Sequence, residues 1–157
     1  MLRKNPVRRR SIDRGGRFAI VASKYNDEFV GAMVRAAQRE FKRAHVTKIQ
    51  VIRVPGAFEI PVVAARLARN QNPPWDAVLC LGVILRGATT HAQHIGEAVT
   101  QALGQIQVTT GVPMIHEVLL LENRAQAVER CLDRRHNRGA EAAQTALEMA
   151  KVLRALP

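Results

Sequence analysis

The sequence predicts an α/β fold, a three-layer α/β/α sandwich around a parallel sheet of four strands. Three observations carry that expectation. Apolar runs of strand length alternate with segments whose apolar residues recur at helical spacing. The runs are built from Val, Ile, Leu and Ala, the composition of strands covered by helices on both faces. Breakers separate the segments: Pro55-Gly56, Asn72-Pro73-Pro74 and Gly111-Val112-Pro113.

Taken in order, Arg17 to Ser23 encloses Phe18-Ala19-Ile20-Val21-Ala22 and reads as a strand buried on both faces. Asn26-Asp27 offers capping groups for a helix with Phe29, Val30, Met33, Val34, Ala37 and Phe41 on one face. Lys48 to Val54 is a second strand, stopped by Pro55-Gly56. Ile60, Val63, Ala64 and Leu67 then fall at i, i+3, i+4 and i+7, which is a helix face. Ala77 to Leu85 is the third strand. It turns at Gly87 into the clearest helix of the chain, striped by Ile95, Ala98, Val99, Ala102, Leu103 and Ile106. Met114 to Leu121 is the fourth strand, and Asn123 can cap a short helix through Cys131. After a polar loop, a last helix places Ala143, Ala146, Leu147, Ala150 and Leu153 on one side. Strands that alternate with helices in this way pair in parallel through right-handed crossovers.

A chain of 157 residues suits one domain with a full core. Residues 1–16 have no apolar period and read as a flexible basic arm, leaving residues 17–157 as the single domain. No apolar run approaches the roughly 20 residues of a membrane span. The basic N-terminus has no apolar stretch after it, so it is not expected to be a secretory signal. Cys80 and Cys131 match no metal or redox spacing, which favours reduced thiols and a cytoplasmic protein. The net charge of +11 invites a nucleic-acid partner. Its distribution argues otherwise: seven of the 24 basic residues lie in residues 1–17, opposed there only by Asp13. Such a run is ordinarily a solvated segment, so acidic small molecules are the better match.

In a parallel sheet, ligands bind beyond the carboxyl ends of the strands. The unusual residues fall there: Lys24-Tyr25-Asn26-Asp27, Pro55-Gly56-Ala57-Phe58-Glu59, Arg86-Gly87-Ala88-Thr89-Thr90-His91, and the region of His116. The start of the helix after the third strand has unpaired amides and the positive end of a macrodipole, which together favour an anion. An imidazole at His91 beside a bound phosphate is a plausible proton carrier. His94 lies one turn on, but no third ligand is evident, so no metal is expected.

The blocks Tyr25-Asn26-Asp27, Val54-Pro55-Gly56-Ala57-Phe58-Glu59-Ile60-Pro61, Leu81 through Arg86-Gly87-Ala88-Thr89-Thr90-His91, Thr110-Gly111-Val112-Pro113, Glu129-Arg130 and Asn137-Arg138-Gly139 are specific in combination. From about Arg17 to the C-terminus the chain resembles the 6,7-dimethyl-8-ribityllumazine synthase family. The resemblance implies a flavodoxin-like topology and the penultimate step of riboflavin biosynthesis. A ribitylaminouracil amine condenses with 3,4-dihydroxy-2-butanone 4-phosphate; a Schiff base forms, phosphate leaves and the ring closes. Neither a metal nor an organic cofactor is implied. Members of the family form rings of five subunits with each pocket between two neighbours, and some assemble twelve rings into a shell. Riboflavin synthase is a further candidate partner.

The resemblance also implies roles. His91 matches the proton-transfer histidine. Ala88, Thr89 and, from the adjacent subunit, Arg130 match the phosphate site; Thr89 or Thr90 reads equally as a helix cap. Tyr25 matches the aromatic stacked on the uracil, and Asn26 is a ribityl partner or a cap. Ala57, Phe58 and Glu59 match the ribityl segment, and the backbone of Val83, Ile84 and Leu85 matches the reader of the pyrimidine edges. Two residues depart from the family pattern. His116 stands where Phe, donated by the neighbour, packs on the heterocycle, and Arg138 stands where Lys is usual. The loop Leu132-Asp133-Arg134-Arg135-His136 replaces a Gly-containing stretch of shell-forming members, which bears on the shell more than on the ring.

Two other readings compete. A basic nucleic-acid-binding or scaffold protein could keep this fold without the chemistry, supported only by the Arg-rich arm. A flavodoxin-like flavin-binding protein fits the topology but lacks a hydroxyl- and Gly-rich phosphate loop after the first strand, where Lys24-Tyr25-Asn26 stands.

Overall fold

The computed structural model describes residues 15–70 and 72–157. Four parallel strands, β1 (Arg17–Ser23), β2 (Lys48–Val54), β3 (Ala77–Leu85) and β4 (Met114–Leu121), lie in the order β2-β1-β3-β4. Five helices connect and follow them: α1 (Asp27–Arg43), α2 (Ile60–Arg69), α3 (His91–Thr110), α4 (Arg124–Ala127) and α5 (Arg138–Arg154). The expected strand limits and flavodoxin-like layering are met. Residues 1–14 of the expected arm lie outside the described residues. Its last two residues are hydrogen-bonded to the α1–β2 turn, with Gly15 N donating to His45 O and Gly16 O accepting from Thr47 and Lys48.

The chain steps one way from β1 to β2, then reverses across β1 to β3 and continues to β4. With crossovers of one hand, that reversal sends α1 to one face and α2 and α3 to the other. The core accordingly has two halves. Phe18, Ile20 and Ala22 of β1 and Leu79, Leu81 and Val83 of β3 pack against α1 and α5. Ala19 and Val21, with Val78 and Cys80, pack against α2 and α3. Phe18 and Phe41 stack with ring centroids 4.7 Å apart, joining β1 to the end of α1. The central strands β1 and β3 are buried on both faces, while β2 is a half-exposed edge.

Two local features depart from simple helices. Asn123 does cap α4, its side chain accepting from Gln126 N at 3.0 Å, but the segment then widens into a π turn over Val128–Leu132. Wider turns of this kind re-aim side chains. Asn137 caps α5 by accepting from Gly139 N and Ala140 N, and its amide donates to Cys131 O at 2.5 Å, so one buried side chain joins the π turn to α5.

Gly139 lies where α5 crosses α1. A Cβ there would stand 2.0 Å from Met33 O, a backbone atom that cannot rotate away. Gly139→Ala is expected to force the helices apart and destabilise the protein by about 3 kcal/mol, read as a lower urea midpoint. An unchanged midpoint would show that the two helices can separate without cost.

Candidate active site

The reversal point of the sheet lies between β1 and β3, and the loops leaving these strands diverge there to open a groove. Asn26 holds its two sides together. Its backbone sits in the left-handed region at φ 56°, which Asn tolerates better than most residues. Its Nδ2 donates to Val83 O at 2.7 Å. Asn26 occupies the N-cap position of α1, yet its side chain caps nothing. Of the two roles open to Asn26, the cap is therefore the one not taken. The Val83 carbonyl is likewise already engaged by the protein.

Arg53 on β2 is the positioning residue that the sequence alone did not flag. Its Nε donates to Ala22 O, its Nη2 to Ser23 O at 2.9 Å, and the same nitrogen pairs with the Asp27 carboxylate. Both ends of the loop carrying Tyr25 and Asn26 are thereby fastened to the edge strand. No sequence spacing points to this clamp, because it depends on β2 pairing with β1 in a register that sets Ala22 beside Arg53.

The groove has a volume of about 950 Å³. Tyr25 and Asn26 line it from the β1 end, Ala57, Phe58 and Glu59 from the turn before α2, and Val83, Ile84 and Leu85 from the β3 end. Thr89 and His91 line it from the start of α3, with His94, Ile95 and Ala98 further along that helix. Ala88 lies between the lining residues Gly87 and Thr89. Tyr25 and Phe58 are 74% and 62% exposed, which leaves two large apolar surfaces open toward the groove mouth. At the α3 start, Thr90 makes no side-chain cap bond, while Thr89 Oγ1 accepts from His91 N at 3.4 Å. The groove wall includes no Lys or Arg among the described residues.

The remaining residues singled out from the sequence lie elsewhere in this chain. Arg86 is turned away into an ion pair with Glu122 at 3.5 Å. Successive residues of β4 point to opposite faces, so His116 and Glu117 part company. His116 faces α3: its Nε2 lies 2.8 Å from Thr100 Oγ1, and its Nδ1 accepts from Val118 N at 3.1 Å. Burial holds its imidazole below the usual range. Glu117 faces the opposite way, where Arg130, Arg138 and Glu141 act on its charge. Arg138 pairs with Glu141 at 2.9 Å, and Arg130 Nε is buried without a hydrogen-bond partner. The π turn and the α5 start thus bring Arg130 and Arg138 together, on a different face from the groove. Their pairing around Glu117 is a second feature that sequence reading missed.

A model of the family described as 6,7-dimethyl-8-ribityllumazine synthase matches residues 15–154. The chain belongs to this family. A 6,7-dimethyl-8-ribityllumazine synthase of Kineococcus radiotolerans is 45% identical over 142 residues, covering 89% of this chain and 86% of the relative. One from Syntrophus aciditrophicus is 40% identical over 147 residues, covering 92% and 94%. A solved sigma-54 interaction domain protein from Enterococcus faecalis covers 92% of this chain and 96% of its own at 10% identity, but its TM-score of 0.34 is too low to speak for the fold.

Burial pushes the Glu117 carboxyl up to about 7, a rise that Arg138 opposes, Glu141 adds to and Arg130 opposes. Between its ordinary 4.5 and about 7 the folded chain holds a proton that the unfolded chain has lost. This group's contribution to stability therefore falls as pH rises through that window and levels off above it. Glu117→Gln is expected to remove this component, worth about 3 kcal/mol at most. Urea denaturation of both proteins from pH 5 to 8 checks it; parallel curves would refute the assignment.

Proposed function

We propose that this protein is a 6,7-dimethyl-8-ribityllumazine synthase. It condenses 5-amino-6-(D-ribitylamino)uracil with 3,4-dihydroxy-2-butanone 4-phosphate and releases phosphate, as a transferase of riboflavin biosynthesis. The observation that carries the reading is the convergence of Tyr25-Asn26, Ala57-Phe58-Glu59, Val83 to Leu85, Thr89 and His91 on one groove. These are the blocks by which the chain resembles the family.

In this reading the uracil lies against the Tyr25 ring and meets the backbone at the β3 end, and the ribityl chain runs along Ala57, Phe58 and Glu59. A carboxylate at Glu59 suits hydroxyl donors. The phosphate sits at the start of α3, near Ala88 and Thr89, where the helix dipole favours an anion. His91 stands on the same turn and can pass protons as the Schiff base forms, as phosphate departs and as the ring closes. Orienting two substrates in one groove supplies a further share of the rate.

A phosphate dianion needs a cation, and among the described residues the groove wall has no Lys or Arg. Arg130 of an adjacent subunit would supply it, since a planar guanidinium matches two phosphate oxygens at once. Its buried, unpartnered Nε fits a side chain whose partner comes from another copy. His116 would reach the same neighbouring pocket, with Arg138 beside Arg130 in a supporting role. The site is then shared between copies, in a ring of five. Exposed apolar residues such as Val62 and Val108, 70% and 81% accessible, are consistent with a surface that copies cover. A cytoplasmic location and an encounter with riboflavin synthase accord with the pathway.

Purified protein given both substrates is expected to release phosphate and form a lumazine chromophore; neither product appearing would end this reading. Arg130→Ala should raise KM for the butanone phosphate about tenfold or more, the worth of a charge-assisted pair, and leave KM for the uracil nearly unchanged. Equal effects on both substrates would remove Arg130 from the phosphate site. His91→Ala should slow turnover about 100-fold without abolishing it; unaltered turnover excludes His91 as the proton carrier.

A further inference from the structure

His116 presents a puzzle that the reading above does not resolve. A polar ring stands where the family resemblance calls for an apolar one. Its hydrogen bonds supply an answer. Val118 N donates to Nδ1 at 3.1 Å, so Nδ1 is the acceptor nitrogen and carries no proton. In the neutral ring Nε2 then bears the hydrogen. Across from it, 2.8 Å away, is Thr100 Oγ1, which itself donates to Gly96 O at 2.8 Å. The Thr100 hydroxyl proton is thereby spent on its own helix, and its oxygen is left to accept from Nε2. Donors and acceptors alternate without conflict along Val118, His116, Thr100 and Gly96.

We propose that Thr100 is a specificity-determining positioning residue: the Val118 amide selects the neutral Nε2–H tautomer of His116, and Thr100 Oγ1 takes up that Nε2–H, so that the ring offers a substrate only its flat face. Both ring nitrogens are satisfied inside the subunit, and neither is free to seek a polar atom on the ligand. The imidazole then serves as a small aromatic plate. Protonation would require Nδ1 to give up the Val118 amide, leaving two N–H groups facing each other. Around the ring lie Cys80 of β3 in register, Val118 on the same face of β4, and Thr100 on α3; no charged side chain contributes to the downward shift of the imidazole, whose cause is burial.

This inference rests on the reading that His116 serves the uracil pocket of a neighbouring subunit. The test uses the full-length protein, ring-15N-labelled at histidine, with steady-state kinetics for each substrate. His116 is expected to show one pyridine-type nitrogen at Nδ1 and one pyrrole-type nitrogen at Nε2. In Thr100→Val the Nε2–H loses its acceptor, so the Nε2 shift moves while Nδ1 stays pyridine-type, and KM for the uracil rises about threefold to tenfold, with KM for the butanone phosphate unchanged. Thr100→Ser restores both. In a His116→Phe background, Thr100→Val has no further effect on either KM. Thr100 is exposed on α3, so its replacement leaves the core untouched.

An Nδ1–H or charged ring in the unaltered protein overturns the proposal, as does a Thr100→Val effect of equal size in the His116→Phe background. His116→Ala with an unchanged KM for the uracil also overturns it, while leaving the enzyme reading standing. If the unaltered protein makes no lumazine, both readings fall together.

Discussion

The hydrogen bond from Asn26 Nδ2 to Val83 O spans the point where the sheet reverses direction, and the groove depends on it. Parallel strands on either side of a reversal send their connections to opposite faces, so the loops above them part and leave a cleft. A cleft of that origin has walls on separate strands and nothing in the topology to set their spacing. Asn26 sets it, from a left-handed backbone position that lets its amide turn across to β3 instead of back onto its own helix. Arg53 completes the arrangement from the other side, gripping the last carbonyls of β1 and the first carboxylate of α1. Tyr25, between these two anchors, presents its ring outward because the backbone on both sides of it is held.

The edge strand β4 distributes a different kind of function. Its pleat places His116 toward α3 and Glu117 toward the π turn and α5, so adjacent residues belong to separate polar networks. The first network is closed, each donor meeting one acceptor. The second is crowded: the Arg130 and Arg138 guanidiniums and the Glu141 carboxylate surround Glu117, whose burial makes its carboxyl hold its proton more tightly than in water. One guanidinium nitrogen there, Arg130 Nε, is buried without a hydrogen-bond partner. The groove wall, by contrast, includes no Lys or Arg among the described residues. Charge and cavity are separated within the chain.

Much of this was legible beforehand. The four strands fell at the residues expected, because a run such as Phe18 to Ala22 has no polar face and, at this length between polar residues, suits a strand covered on both sides. The helix after His91 was readable for the complementary reason, a stripe at helical spacing closed by Gly111, which takes a left-handed φ of 73°. The groove residues were also legible, since strand order plus the carboxyl-end rule assigns them to one edge. The π turn was not, because Val128 to Leu132 has no period that distinguishes it from an α-helix. Nor was the Arg53 clamp, whose partners come from β1 and α1 and are joined only by sheet register.

The sequence by itself determined the alternation of elements, the parallel sheet, the family and the residues gathered at the carboxyl edge. Those follow from local periodicity and from motif blocks, which depend on neighbours along the chain. Only the tertiary structure decided that Asn26 bridges β1 to β3 instead of capping α1, that His116 and Glu117 serve opposite faces, and that Arg130 and Arg138 converge away from the groove. The physical reason is the same in each case: a polar side chain goes to whichever partner the folded backbone brings within hydrogen-bond reach, and for these residues that partner is remote in sequence or selected by the pleat.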